Sequence, residues 1–367
     1  MFTIENLRKS YVASGAAVRA VDGVSLDVET GKLITLLGPS GCGKTTTLRC
    51  LAGLERPQAG RVAIGDRAVF DSARRIFVPA SDRGIGMVFQ SYAIWPHMTV
   101  FDNVAFPLRV SRTRKYAARE ITARVSRMLD MVQLTGFERR PATQLSGGQQ
   151  QRLAFARGLV HEPAILLLDE PLSNLDAKLR EQMRIELKRL QRSLGITTVY
   201  VTHDQSEALA LSDEIAVFDS GRIIQRGTPQ EIYRQPKNQF VADFVGSANF
   251  LPGTVRGMDG ALTSVDTAHG IMRCQFAEPV GAGAKVFVTA RPEDVVLFDA
   301  GAASALTEGL NALKGKIINR IFLGEVVDYI VDVGDRELRA RMRVESFQIG
   351  EAVTIGIPPR KCVGLPG

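Results

Sequence analysis

The sequence predicts an α/β domain followed by a smaller all-β domain, and three observations carry that reading. Residues 1 to about 240 mix strand-like runs with helical periodicity. Leu33-Ile34-Thr35-Leu36-Leu37 is one such strand-like run, and Ala164-Ile165-Leu166-Leu167-Leu168 is a continuously apolar one that ends in two acids. That is the form of a buried parallel strand whose carboxyl end opens onto a site. After Gly246 the texture changes to short alternating segments punctuated by glycine, which reads as a small β-barrel or sandwich.

A chain of 367 residues exceeds what one hydrophobic core usually organises, so two domains are expected. Proline and small polar residues between Gln235-Pro236 and Ser247-Ala248-Asn249 interrupt the periodic pattern, giving domains 1–240 and 241–367. With 45% hydrophobic and 23% charged residues, the composition is that of a folded chain. Its longest apolar runs fall far below the roughly 18 residues a membrane-spanning helix needs. Met1-Phe2-Thr3-Ile4-Glu5-Asn6 lacks a basic stretch followed by an apolar core, so a cytoplasmic protein is expected. Four cysteines, Cys42, Cys50, Cys274 and Cys362, have neither metal-ligand spacing nor the density of a disulfide scaffold. A net charge of +7 without a long basic block reads as a generally basic surface rather than a nucleic-acid footprint.

Within the first domain, Ile121, Val125, Met128, Leu129 and Val132 recur at helical spacing, with Arg119, Arg124, Arg127 and Asp130 between them. The stretch 117–134 is therefore an amphipathic helix. In the second domain, Lys285–Ala290 and Val326–Val333 alternate as strands. Gly334-Asp335 offers a turn before Glu337–Arg341.

Gly38-Pro39-Ser40-Gly41-Cys42-Gly43-Lys44-Thr45 matches G-x-x-x-x-G-K-[ST] and follows the strand-like run Leu33–Leu37. Strand, loop and helix occur in the order a phosphate-binding loop requires. Glycines let successive N–H groups point inward at phosphate oxygens, and the helix adds its positive end, Thr46 included. Lys44 is expected to reach the β- and γ-phosphates of ATP, and Thr45 to hold Mg²⁺ through its hydroxyl. At a helix N-terminus a thiol's pKa tends to fall, which would make Cys42 reactive, but a small residue that merely fits is the preferred reading of this position. The continuously apolar run ends in Asp169-Glu170. Asp169 is expected to hold Mg²⁺ through water, and Glu170 to act as general base on the attacking water.

Between these elements lies Leu145-Ser146-Gly147-Gly148-Gln149-Gln150-Gln151-Arg152. Ser146 and the glycine amides open a helix and can grip a γ-phosphate as the upstream loop does. This LSGGQ segment resembles the signature of ATP-binding-cassette (ABC) ATPases. The resemblance implies a P-loop NTPase ABC cassette with a helical subdomain, followed by an all-β OB-like C-terminal domain. It also implies roles for Gln90 as the Q-loop residue contacting Mg²⁺ and the attacking water, and for His203 as the switch histidine holding the γ-phosphate. Ser173-Asn174-Leu175-Asp176 is similar to the D-loop that crosses between subunits. Tyr11 resembles the aromatic that stacks on adenine, with a core tyrosine as the alternative.

In this family the signature lies far from its own phosphate loop, which implies two copies meeting head to tail around ATP. Only 102 residues separate Lys44 from Ser146, too few for the coiled-coil insertions of chromosome-maintenance relatives. A single motif set also differs from translation-associated relatives. Transport is the better reading, with an ABC ATPase acting on nucleic acid as the competing class. Tyr92 to Val104 looks like the importer segment that receives a membrane subunit's coupling helix, with the aromatics Tyr92, Trp95, Phe101 and the nearby Phe106 lining a groove or forming core. Ser247–Leu251 and Ala290–Asp294 resemble the transport-associated domain of maltose-, polyamine- and ferric-iron-type import ATPases. The implied partners are permease subunits and, indirectly, an extracytoplasmic solute-binding protein, with the chain peripheral on the cytoplasmic face of a bacterial inner membrane. Trp95 and Asn174 lean the cargo towards ferric iron or polyamine over sugar.

Overall fold

Strands that are apolar on both faces must be covered on both, and the first unit, Met1–Pro229, is built that way. The structure is a computed structural model describing residues 1–13, 16–112, 114–301, 308–343 and 346–367. A six-stranded sheet runs in the order Arg222–Gly227, Glu214–Asp219, Leu33–Leu37, Thr197–Thr202, Ile165–Asp169, Ile85–Val88. All pairs are parallel except the Arg222–Gly227 edge.

Successive side chains along each strand enter different cores. Leu166, Leu168 and Tyr200 pack with the helices Val100–Arg109, Ala118–Met131 and Gly147–Leu159. Ile165, Leu167, Val199 and Val201 pack on the opposite side with Leu48 and Leu51, and with Phe2, Ile4 and Val62 of a second, antiparallel sheet. The helix expected over 117–134 is Ala118–Met131, and its Ile121, Val125, Met128 and Leu129 are buried as the spacing requires.

The second unit, Gln230–Gly367, is all-β apart from short helices. It contains two five-stranded sheets, one around Asn249–Asp259 and one around Asn311–Phe322, whose apolar faces share a core of Val265, Val288, Ile317, Tyr329 and Ile355. Val327–Asp332 and Glu337–Met342 pair antiparallel across the Gly334-Asp335 turn. Arg291 is buried here and donates to the carbonyls of Tyr233, Ala242 and Ser247, tying the short helices to the strand end.

Candidate functional site

Four neighbouring strands of the parallel sheet end on the same edge, as strands in an open α/β sheet deliver a ligand site. Leu33–Leu37 releases the phosphate loop, Thr197–Thr202 releases His203, Ile165–Asp169 releases Glu170, and Ile85–Val88 leads to Gln90. The sheet order therefore brings together residues that lie far apart along the chain.

The phosphate loop runs from Gly38 to the first turn of the helix Lys44–Ala52, where Thr45 and Thr46 are half-buried. Gly43 has φ 106, and a Cβ there would lie 2.1 Å from the Ala20 carbonyl oxygen. Only glycine fits that close approach. Gly41 is also left-handed at φ 78, while Ser40 is exposed at the loop's outer edge. Lys44 is buried, its Nζ donating to the Gly38 and Pro39 carbonyls at 2.7 and 2.8 Å. The ammonium thus lies across the loop at hydrogen-bond range of its curled backbone.

Thr45 Oγ1 donates to Asp169 Oδ1 at 3.0 Å. Burial pushes the Asp169 carboxyl above its ordinary value, while Thr45, Arg49 and Lys44 pull it back. A hydroxyl and a desolvated carboxylate side by side are hard oxygen donors of the kind Mg²⁺ takes, so these residues fit that ion. Glu170 follows with φ 45, a left-handed conformation that a non-glycine residue holds only where its surroundings impose it. Its amide donates to the Val201 carbonyl at 3.0 Å, and Ser173 Oγ donates to its carbonyl at 2.9 Å. The carboxylate is bracketed: Gln90 Nε2 donates to Oε2 at 3.2 Å, and His203 Nδ1 lies 3.1 Å from Oε1. An acid gripped by an amide and an imidazole at a sheet edge is placed to orient and deprotonate a water.

The signature turn stands differently. Ser146 caps the helix Gly147–Leu159 through a capping box with Gln149, accepting from its amide while Gln149 Oε1 accepts from Ser146 N–H at 2.9 Å. Ser146 and Gly147 are exposed, whereas Gly148 is buried against Leu179. Asp176 is likewise exposed and caps Ala177–Leu194, accepting from Leu179 N–H at 3.0 Å.

Tyr11 is 38% exposed, which removes the core alternative. It pairs with Val18, two residues before the Ala20 carbonyl that closes on Gly43, so the strand it pairs with reaches the loop. Lys9 Nζ lies 4.9 Å over its ring. Cys42 sides with the small residue that fits rather than with a reactive thiol. The thiol is buried, and desolvation raises its pKa more than Lys44 and the helix start lower it. Tyr92 packs in the helical core, whereas Trp95, Phe101 and Phe106 are half-buried, the Trp95 and Phe106 ring centres 4.4 Å apart at a tilted angle.

Residues 21–173 match the ABC transporter family and residues 288–365 match the TOBE domain. The Fe(3+) ions import ATP-binding protein FbpC of Rhizobium etli is 45% identical over 99% of this chain and 94% of its own length. This chain belongs to the ABC transporter family. The trehalose/maltose import ATP-binding protein MalK of Thermococcus litoralis is 49% identical over 82% of this chain and 80% of its own. The spermidine/putrescine import ATP-binding protein PotA of Marinobacter nauticus is 45% identical over 91% and 85%. A bacterial ABC transporter cassette solved as a dimer superposes with TM-score 0.54 at 32% identity, covering 62% of this chain and 99% of that one. The protein is the ATP-hydrolysing subunit of an ABC importer, an ATP-binding cassette followed by a TOBE domain. No helix among the described residues is long and apolar enough to cross a membrane.

Three features of this ABC cassette escaped the sequence reading. Asn174 Nδ2 donates to the Gln90 carbonyl at 2.8 Å, tying the Ser173–Asp176 segment to the Gln90 segment within one chain. Glu207 is buried beneath the switch segment, accepting from Tyr200 and Thr202 hydroxyls at 2.7 Å each, and burial raises its pKa. Arg157 is buried in the signature helix and donates to the Tyr92 and Ala93 carbonyls. A lone arginine within the apolar run Leu153-Ala154-Phe155-Ala156 and Gly158-Leu159 was the available signal.

Proposed function

We propose that this ABC ATPase works as a head-to-tail pair of copies on the cytoplasmic face of a bacterial inner membrane, driving import of ferric iron or a polyamine through permease subunits. The observation that carries the catalytic part is the Glu170 carboxylate bracketed by Gln90 and His203 beside the Thr45–Asp169 pair. In this reading the loop amides of Gly38 to Thr46 and the Lys44 ammonium cradle the phosphates, and Tyr11 stacks on adenine. Thr45, Asp169 and Gln90 hold Mg²⁺, which when bound neutralises charge on the phosphate oxygens. Glu170 takes a proton from the attacking water while His203 orients it.

The dimer part rests on Ser146 and Gly147, which stay exposed even though Ser146 closes the capping box with Gln149. A second copy presenting Ser146, Gly147, Gly148, Gln149 and Asp176 would complete the γ-phosphate cage, and cleavage of that phosphate would part the copies. For the cargo, the iron- and polyamine-named relatives align further along the chain than the sugar-named one. The higher identity of the trehalose/maltose relative favours a sugar as the second reading.

Glu170→Gln tests the catalytic and dimer parts together. Turnover should fall by about 10²- to 10⁴-fold with ATP binding kept, and a dimer should appear in ATP by size-exclusion chromatography with light scattering. Unimpaired hydrolysis removes Glu170 from its role, and a strictly monomeric ATP-loaded variant removes the paired cage. Uptake of ferric iron, spermidine and maltose by vesicles carrying the adjoining permease separates the cargo readings.

A further inference from the structure

The signature helix Gly147–Leu159 carries a cation where packing alone would call for an apolar side chain. Arg157 is 7% exposed, and burial lowers its guanidinium to about 10, so it stays charged at neutral pH. Its hydrogen bonds go to two neutral carbonyls: Nη2 donates to Tyr92 at 2.7 Å and Nη1 donates to Ala93. The guanidinium also lies 4.7 Å over the Trp95 ring. Burying a charge on backbone carbonyls is costly, so such a group persists where it holds something in place.

What it holds is a turn that the backbone resists. Tyr92 at φ 60 and Ala93 at φ 47 are consecutive left-handed residues, neither of them glycine. Such conformations survive only where surrounding contacts fix them. The planar fork of an arginine reaches both carbonyls at once, which the point charge of a lysine cannot do. The turn begins two residues after Gln90, whose amide reaches Glu170 at 3.2 Å. On its other side Gln90 is tied by Asn174, and beyond the turn Trp95 N–H donates to Asn103 Oδ1 at 2.9 Å. Arg157 lies about three turns along the same helix that Ser146 opens.

The geometry points to Arg157 as a positioning residue that holds the Tyr92–Ala93 turn so that Gln90 stays on Glu170, joining the signature helix to the Gln90 segment. This inference rests on the roles proposed above for Gln90 and Glu170. Arg157 touches no reacting atom and acts through Gln90. Movement of the signature helix against a second copy would reach Gln90 through this clamp.

A double-mutant cycle in the full-length chain tests it. Arg157→Lys should lower kcat by roughly 10- to 100-fold while the ATP dissociation constant stays within about twofold, the signature of a misplaced group rather than a lost ligand contact. In a Gln90→Ala background the same substitution should lower kcat by less than about twofold more, because the residue it acts through is already gone. An equal fold-loss in both backgrounds overturns the inference and leaves the Gln90 assignment standing. Normal kcat in Gln90→Ala alone overturns both. Should Arg157→Lys fail to fold, Ala93→Pro serves from the exposed side of the turn, since proline fixes φ near −65° and abolishes the left-handed pair. It should reproduce the kcat loss when assayed well below its own thermal midpoint, which the strain of a proline at that position lowers, and wild-type kcat in that variant overturns the clamp.

Discussion

At the phosphate loop glycine is required because nothing larger fits, whereas at the signature turn there is room to spare. A Cβ on Gly43 would strike the Ala20 carbonyl at 2.1 Å, in a left-handed conformation besides. A Cβ on Gly147 would meet only Leu175 Cδ2 at 3.6 Å, an ordinary contact. The first turn is finished by its own chain: Lys44 folds across it and Thr45 is bonded to Asp169. The second closes its capping box and leaves Ser146 and Gly147 in the open. Both open helices suited to anions, yet only one is enclosed. The difference teaches that the second turn's glycine answers to something outside the chain, as it would if a second copy supplied the phosphate.

Substitutions at the two glycines test that contrast most severely. Gly43→Ala should weaken ATP binding by about 100-fold or more, through the loss of one or two charge-assisted hydrogen bonds, and destabilise the fold by about 1–2 kcal/mol from its left-handed φ alone. Isothermal titration and thermal melts read both. Gly147→Ala should leave ATP affinity unchanged and the thermal midpoint unchanged or slightly raised, since alanine suits a helix better than glycine. Turnover should still fall roughly 10- to 100-fold, because the added methyl displaces a phosphate held by the twin copy. If Gly147→Ala hydrolyses ATP normally, the outward-facing turn has no partner to crowd.

At the rim of the enclosed site, Tyr11→Ala should raise KM for ATP by about tenfold, the value of one base–aromatic stack, with kcat little changed. An unchanged KM would leave Tyr11 as a strand residue under Lys9. The smallest effect is expected inside the loop. Cys42→Ala should keep hydrolysis within about twofold, and iodoacetamide at pH 8 should label Cys42 more slowly than a free thiol, because a raised pKa leaves less thiolate at a given pH. Rapid labelling of the folded chain would contradict the burial seen here.

Much of the site was legible because its parts are short and local. The loop from Gly38 to Thr45, the Asp169-Glu170 pair and the LSGGQ turn each state their chemistry within about eight residues. The amphipathic helix and the alternating strands were equally readable, since burial imposes its period on adjacent residues. Cys42 shows where the local rule failed. A helix N-terminus argues for a lowered pKa, but burial decides the sign, and the core that Cys42 joins includes residues far along the chain such as Val201 and Phe218. Arg157 and Glu207 were missed for the same reason, as their partners lie on other elements.

The sequence by itself determined which phosphate-binding elements exist and in what order. Those are properties of backbone curl, helix ends and acid placement that a few neighbouring residues dictate. Only the tertiary structure decided that four strand ends converge, that Glu170 is bracketed by Gln90 and His203, and that Arg157 props a strained turn behind them. Each of these is a contact across the sheet or between helices, fixed by strand order and close packing rather than by spacing along the chain.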